Sequence, residues 1–355
     1  MALGKTGKVR KIRKWKPLLR LRYRCEYLAL RVFAILIPRL PRKSVLNAAK
    51  ALGTVAFYLD ARGRKLGHQS LAMAVQHGGL DLGPRNQDEV LKDCYQNFAR
   101  SFLDLFWFSR LHKENADQWI KIEGESAILD AIGSEHGAVF LTPHYGIFEW
   151  ASLAVGLRGL SLDIVAQDFK NAALKKVISR AREHSGHRIL SRQGAMLKLV
   201  RTAKRGGNIA LLPDLNLRPQ GAAVAINVFG VSAWMTAAHV EISRRCDAPM
   251  VLAVCEPQSD GRATLRVLDV IRAGGDNSHL TRTELTQMVW DRIELAVRQR
   301  PELWLWMYHH WRYRPSEQSD SASPQADSIR LLVPEKHLST TAQVDCQTQM
   351  ARRAA

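Results

Sequence analysis

The sequence predicts an α/β protein: a central, mostly parallel sheet flanked by helices, preceded by a helical N-terminal segment. Three observations carry that expectation. Up to about residue 110 the apolar residues recur at helical spacing. From about residue 118 short apolar runs alternate with helical stretches. The best of these runs, "GAVFLT" at 137–142, is apolar throughout, as a strand covered on both faces requires. The chain has 355 residues, 46% of them hydrophobic, which suffices for one large core. A charged fraction of 24% and a mean hydropathy of -0.19 exclude a polytopic membrane protein and a wholly disordered chain.

The elements follow in order. Residues 1–24 hold ten Lys or Arg and no acid, and "YLALRVFAILIPRLP" follows at 27–41. This apolar run is broken by Arg31 and stopped by Pro38. It falls short of the roughly 20 residues that span a bilayer as a helix. No small-residue cleavage site follows, so a signal peptide does not fit. An interfacial helix does, with Leu28, Val32, Ile35 and Leu36 on one side and the basic block facing anionic lipid. Residues 1–43 are therefore expected to form a membrane-associating segment. Residues 44–60 read as a helix with Ser44 as N-cap. Residues 64–77 read as a second helix, stopped by Gly78-Gly79, and 87–110 as a long third with an aromatic end, "NFARSFLDLFWFSR". Strands are expected at "WIKIEG" (119–124), "GAVFLT", "LDIVAQ" (162–167), "NIALLPD" (208–214), "AAVAINVFG" (222–230), "PMVLAVCE" (249–256) and "ATLRVLDV" (263–270). Helices are expected over 171–185 and 282–299. The α/β domain spans 44–315, and the Ser-rich tail 316–355 is expected to be disordered.

The net charge is +19, from 52 basic and 33 acidic residues. Without residues 1–24 it falls to +9, so about half the excess lies in one block. Such a balance points to anionic partners. Nucleic acid is not expected among them, because no RNP, helix-turn-helix or zinc-finger pattern is present. The five cysteines, Cys25, Cys94, Cys246, Cys255 and Cys346, are odd in number and contain no C-x-x-C pair. They predict buried thiols in a reducing compartment rather than a disulfide framework.

Chemistry concentrates at "LTPHYGIFEWA". Ligands of open α/β sheets bind outside the carboxyl ends of strands, which is where His144 stands. Glu149 lies five residues on, about 140° around an ideal helix. The two can meet only if His144 is in the loop and Glu149 in the first turn of the next helix, with Gly146 allowing a tight backbone between them. A carboxylate on one imidazole nitrogen fixes the tautomer, so that the other can take a proton from an alcohol. No serine or cysteine stands as a nucleophile. "GVSAW" at 230–234 lacks the last glycine of G-x-S-x-G, so a serine hydrolase is remote.

Three stretches together carry a family resemblance. "LTPHYGIFEWA" resembles the H-x4-[DE] motif of the lysophospholipid acyltransferase superfamily. "LLPDLNLRPQGAAVAINVFGVSAWMTAA" and "PELWLWMYHHWRYRP" resemble the second and closing motifs of one branch, the lipid A late acyltransferases of lauroyl/myristoyl type. The similarity covers residues 20–315. It implies transfer of a fatty acyl group from acyl carrier protein, or coenzyme A, to a hydroxyl of a membrane glycolipid such as a lipid A precursor. It also implies a place on the cytoplasmic face of the bacterial inner membrane. His144 would be the general base and Glu149 its orienting carboxylate. Arg182, four residues before Gly186 as in the family's R-x4-G pattern, would hold a substrate phosphate. Asp214 of the Pro-Asp motif would bind substrate and pair with Arg182. No cofactor is implied. "HHW" at 309–311 lacks ligand spacing, so no metal is expected. The chain departs from the family around 214–228, with Asn216 in place of an acid or amide. These departures bear on the acceptor and leave open another glycolipid, such as a phosphatidylinositol mannoside. A non-catalytic basic membrane-binding protein is the reading from a different class.

Overall fold

The computed structural model describes residues 6–133, 137–166, 179, 182–191 and 194–315, with side chains from Leu21 onward. Four helices come first: α1 (Thr6–Leu36), α2 (Arg42–Leu59), α3 (Ala61–Gly78) and α4 (Gln87–Trp107). Their ends follow local chemistry. Asp60 caps α3 by accepting from the Gly63 N–H, and α3 stops where Gly79 takes φ +60°. Asn86 and Glu89 form a reciprocal capping box on α4. The expected Ser44 cap is not used. The helix begins two residues earlier, after Pro41, because Arg42 is drawn into a buried ion pair with Asp104.

The rest alternates: α5 (Ala116–Trp119), β1 (Ile120–Glu123), α6 (Glu125–Ile132), β2 (Val139–Leu141), α7 (Phe148–Leu157), β3 (Leu162–Ala166), β4 (Arg188–Ser191), α8 (Ala195–Ala203), β5 (Asn208–Leu211), β6 (Ala223–Val228), β7 (Val231–Thr236), α9 (Ala238–Cys246), β8 (Met250–Pro257), β9 (Ala263–Ile271) and α10 (Arg282–Gln299). Seven strands form one sheet in the order β1-β9-β8-β2-β5-β3-β4. Every neighbouring pair is parallel except β8 and β9. The α/β expectation with a mostly parallel sheet is met. β2 shows why its sequence is apolar throughout. Val139 and Leu141 enter the core on one face of the sheet, with α9 and α10, while Phe140 enters the core on the other, with α7 and the end of α4. The aromatic end of α4 is core: Phe106, Trp107 and Phe108 are buried, and Trp107 stacks on Trp150 at 6.1 Å.

Two expectations change. β4 was not foreseen; it is a four-residue edge strand begun by Arg188, too short and too polar to stand out. The stretch 222–230 does not join the main sheet but pairs with β7 in a separate hairpin. Its two-residue turn is Phe229-Gly230, with φ +49° and +75°, the geometry that matches strand twist in a tight hairpin. Phe229 tolerates that backbone because its ring is fully buried against Trp290, Trp304 and Trp306. Of the helix expected over 171–185, residues 179, 182 and 183 are helical and most of the remainder falls outside the described residues. The expectation for the tail 316–355 and the Cys346 thiol lie outside them as well. Cys94, Cys246 and Cys255 are buried free thiols, and Cys25 is exposed. Among the described residues no helix is long and apolar enough to cross a membrane.

Candidate active site

β2 and β5 are parallel neighbours, with Leu141 opposite Leu211. His144 follows Leu141 by three residues and Asp214 follows Leu211 by three. Equal offsets past adjacent parallel strands, about 4.8 Å apart, bring the two side by side at the carboxyl edge of the sheet. Asp214 is fully buried and accepts from the His144 backbone N–H at 2.9 Å, through Oδ2. His144 Nδ1 lies 3.0 Å from Asp214 Oδ1. A third donor, the Trp304 indole N–H, reaches Oδ2 at 3.1 Å. The imidazole keeps 17% of its side chain exposed. Nδ1 is committed to the carboxylate, and among the described residues Nε2 has no hydrogen-bond partner. Phe148 stands edge-on to the ring at 5.3 Å, and Tyr308 is stacked at 6.1 Å.

Loop geometry fixes this arrangement. Gly146 has φ +58°, and a Cβ there would stand 2.2 Å from the Cys255 carbonyl, so only glycine fits. Its N–H donates to Leu303 O at 2.8 Å, and the Leu305 N–H donates to His144 O at 3.1 Å. The segment after α10 is thereby stitched to the loop that carries His144.

The electrostatics are consistent with the contacts. Burial works to raise Asp214, but the adjacent His144, with its ring and backbone hydrogen bonds, outweighs burial and holds the carboxyl down at about 2. Burial works to lower His144, and Asp214 with Glu149 outweighs it, so the imidazole is raised above its ordinary 6.5. His310, fully buried and stacked on Trp304 at 3.8 Å, is pushed down to about 4 by burial and is neutral at physiological pH.

All four residues singled out in the sequence are near one another, but their pairing is exchanged. Glu149 does lie in the first turn of α7 and His144 in the loop before it. Glu149 nevertheless faces Arg182, which donates Nε–H to Oε2 at 3.0 Å and Nη2–H to Oε1 at 2.5 Å. That two-pronged fit is what a guanidinium makes with a carboxylate. Glu149 acts on His144 through its charge, and Asp214 makes the hydrogen bond. The expected Arg182–Asp214 pair is not formed: Asp214 is filled by His144 and Trp304. The residue that sequence reasoning missed is Trp304. Its only signal was the tryptophan density of "WLWMYHHW", which does not say which indole reaches the site. Asn216 also has a definite place. Its amide donates to Trp234 O and Tyr313 O and accepts from the Tyr313 N–H, tying the segment after β5 to β7 and the chain near Pro315.

Among solved structures the chain is similar to the 1-acyl-sn-glycerophosphate (LPA) acyltransferase PlsC of Thermotoga maritima. The identity is 13% and the TM-score 0.34, over 73% of this chain and 99% of that one, a likeness too slight to bear on the site. No curated protein matches the chain in sequence. The family model of the bacterial lipid A biosynthesis acyltransferases matches residues 11–313, nearly the whole described fold and every residue of the site. The chain belongs to that family, and the protein is an acyltransferase.

Proposed function

We propose that the protein transfers a fatty acyl group from a thioester of acyl carrier protein, or of coenzyme A, to a hydroxyl of a lipid A precursor, with His144 as general base. The observation that carries this reading is the His144–Asp214 contact of 3.0 Å, which occupies Nδ1 and leaves Nε2 for the acceptor hydroxyl. In the reaction Nε2 takes the proton of the acceptor hydroxyl as its oxygen attacks the thioester carbonyl. The tetrahedral intermediate collapses with loss of the thiolate, which takes the proton back from the imidazolium. An ester C–O bond forms and a C–S bond breaks, with no net proton change. Asp214 holds the tautomer with hydrogen on Nδ1 and stabilises the imidazolium. Glu149 adds negative charge from a second side. Arg182, fixed by Glu149 and partly exposed, supplies a guanidinium for a phosphate of the donor arm or the acceptor.

The same reading places the enzyme at the cytoplasmic face of the inner membrane. Leu28, Val32, Ile35 and Leu36 of α1 are exposed beside a strongly basic segment, which supports contact with anionic lipid. Segment 1–43 would then be the membrane-associating part and 44–315 the catalytic part. The test is purified full-length protein in lipid vesicles, supplied with acyl carrier protein thioester and a panel of glycolipid acceptors. His144→Ala is expected to lose about 10²- to 10⁴-fold in transfer per folded molecule. Wild-type turnover in that variant sinks the base assignment.

A further inference from the structure

We propose that Trp304 is a positioning residue of the active site, its indole N–H locking the Asp214 carboxylate so that Oδ1 alone is left to His144 Nδ1. The inference rests on the His144–Asp214 reading of the site and assigns a residue that neither the two strands nor the His144 loop contains.

The argument starts from the two carboxylate oxygens. Oδ2 accepts two N–H groups, from the His144 backbone at 2.9 Å and from Trp304 Nε1 at 3.1 Å. Oδ1 accepts from His144 Nδ1 at 3.0 Å. With both donors on Oδ2, rotating the carboxylate would break two hydrogen bonds in a buried place, where an unmade bond costs most. An indole N–H suits this task. It can only donate, carries no charge and cannot take the proton that the reaction moves. A Lys or Arg there would compete with the imidazolium for the carboxylate; a mobile water would not fix the angle.

Trp304 is itself held on every side. Its carbonyl accepts from the Cys94 thiol at 2.9 Å, and its backbone bridges antiparallel to Tyr145, next to His144. Its ring meets Trp306 at 4.7 Å, Trp290 at 5.5 Å and Phe229 at 5.8 Å. His310 stacks on it at 3.8 Å, fixed by Nε2 on the Leu305 carbonyl at 2.9 Å. The two neighbouring tryptophans provide internal controls. Trp306 donates to Pro301 O at 2.7 Å and Trp290 to Glu294 Oε2 at 3.0 Å, so both pack in the same cluster without reaching the site.

Among the described residues the charged and titratable groups around the imidazole are Asp214 after β5, Glu149 on α7, Arg182, His310 and Tyr308, whose ring stacks on it. Removing the Trp304 N–H acts directly on the first of them. Asp214 then keeps more of its charge for the imidazolium, and the His144 midpoint moves up.

The experiment titrates the His144 ring by NMR in full-length ¹³C-histidine protein, the resonance being assigned by its loss in His144→Ala. Trp304 is replaced by its benzothiophene analogue, which keeps the bicyclic ring and lacks the N–H. W304F, W306F and W290F are measured beside it. The expected result is an upward shift of about 0.5 to 1 unit at position 304, from the strength of a hydrogen bond to a charged group, with none in W306F or W290F. An unmoved midpoint in the analogue, or an equal shift in the two control variants, overturns the proposal and leaves Trp304 a packing residue. If W304F fails to fold, the analogue decides alone, since it leaves no cavity. Transfer activity of His144→Ala, assayed separately, tests whether His144 is the base; the titration reads the Trp304–Asp214–His144 coupling whichever way that falls.

Discussion

Among the described residues two carboxylates, Asp104 and Asp214, are fully buried, and they are built to opposite ends. Asp104 on α4 is enclosed by cations. Arg42 pairs with it through two nitrogens, one at 2.9 Å, and Arg100 approaches at 3.5 Å. Arg42 also donates to Gly261 O at 2.9 Å and lies over the Trp107 ring at 4.6 Å and the Trp150 ring at 5.0 Å. Little is left over, and the cluster ties α2 and α4 to the turn between β8 and β9. Asp214 is enclosed by neutral donors and one imidazole, and that imidazole presents its second nitrogen to a partly open surface. A closed cluster holds the fold; an open one, on the proposed function, has a proton to exchange. Burial of a charged side chain does not separate structure from chemistry, but the unfilled valence of its partner does.

The comparison can be broken in three ways, the largest expected effect first. Asp214→Asn should reduce turnover by about 10²- to 10⁴-fold, the range of general acid–base assistance, while Glu149→Gln should cost roughly tenfold, about one charge-assisted contact. Side-by-side kinetics check this. A larger loss in Glu149→Gln would return the orienting role to Glu149 and reduce Asp214 to a structural residue. Asp104→Asn should act on stability instead. It leaves two arginines without their buried partner and should lower unfolding free energy by about 3–5 kcal/mol, with turnover per folded molecule unchanged. Denaturant unfolding beside specific activity measures both, and a variant that loses activity while keeping its stability would place Asp104 in the chemistry.

The smallest effect is in pH. As the proposed general base His144 must be neutral, and its folded value is raised above 6.5, so the acid limb of kcat/KM should have its midpoint above pH 6.5. The linked stability has the corresponding sign: the contribution of the raised histidine is fully present below 6.5 and is lost as pH rises through its folded value. A limb below 6.5 would show that Asp214 does not hold the imidazolium.

Much of this was legible in the chain. The doubly covered strand at 137–142, the glycine stop of α3 at 78–79, and the need for glycine at 146 follow from residue type and spacing, because each reflects backbone geometry within a few residues. The hairpin at 222–236 was half legible. A Phe at positive φ is not a turn signal until a tryptophan cluster buries its ring. His144, Glu149, Arg182 and Asp214 were found by motif, but their partners were not. The sequence by itself singled out four of the groups that meet near the end of β2, His144, Glu149, Arg182 and Asp214, and left out Trp304. The tertiary structure decided who pairs with whom. His144 and Asp214 are 70 residues apart, and Trp304 lies 90 beyond Asp214. The contacts among them exist because β2 and β5 are neighbours with matched register and the segment after α10 is stitched to the His144 loop. Strand order and the path of a returning segment are set by how whole faces pack, which no local pattern records.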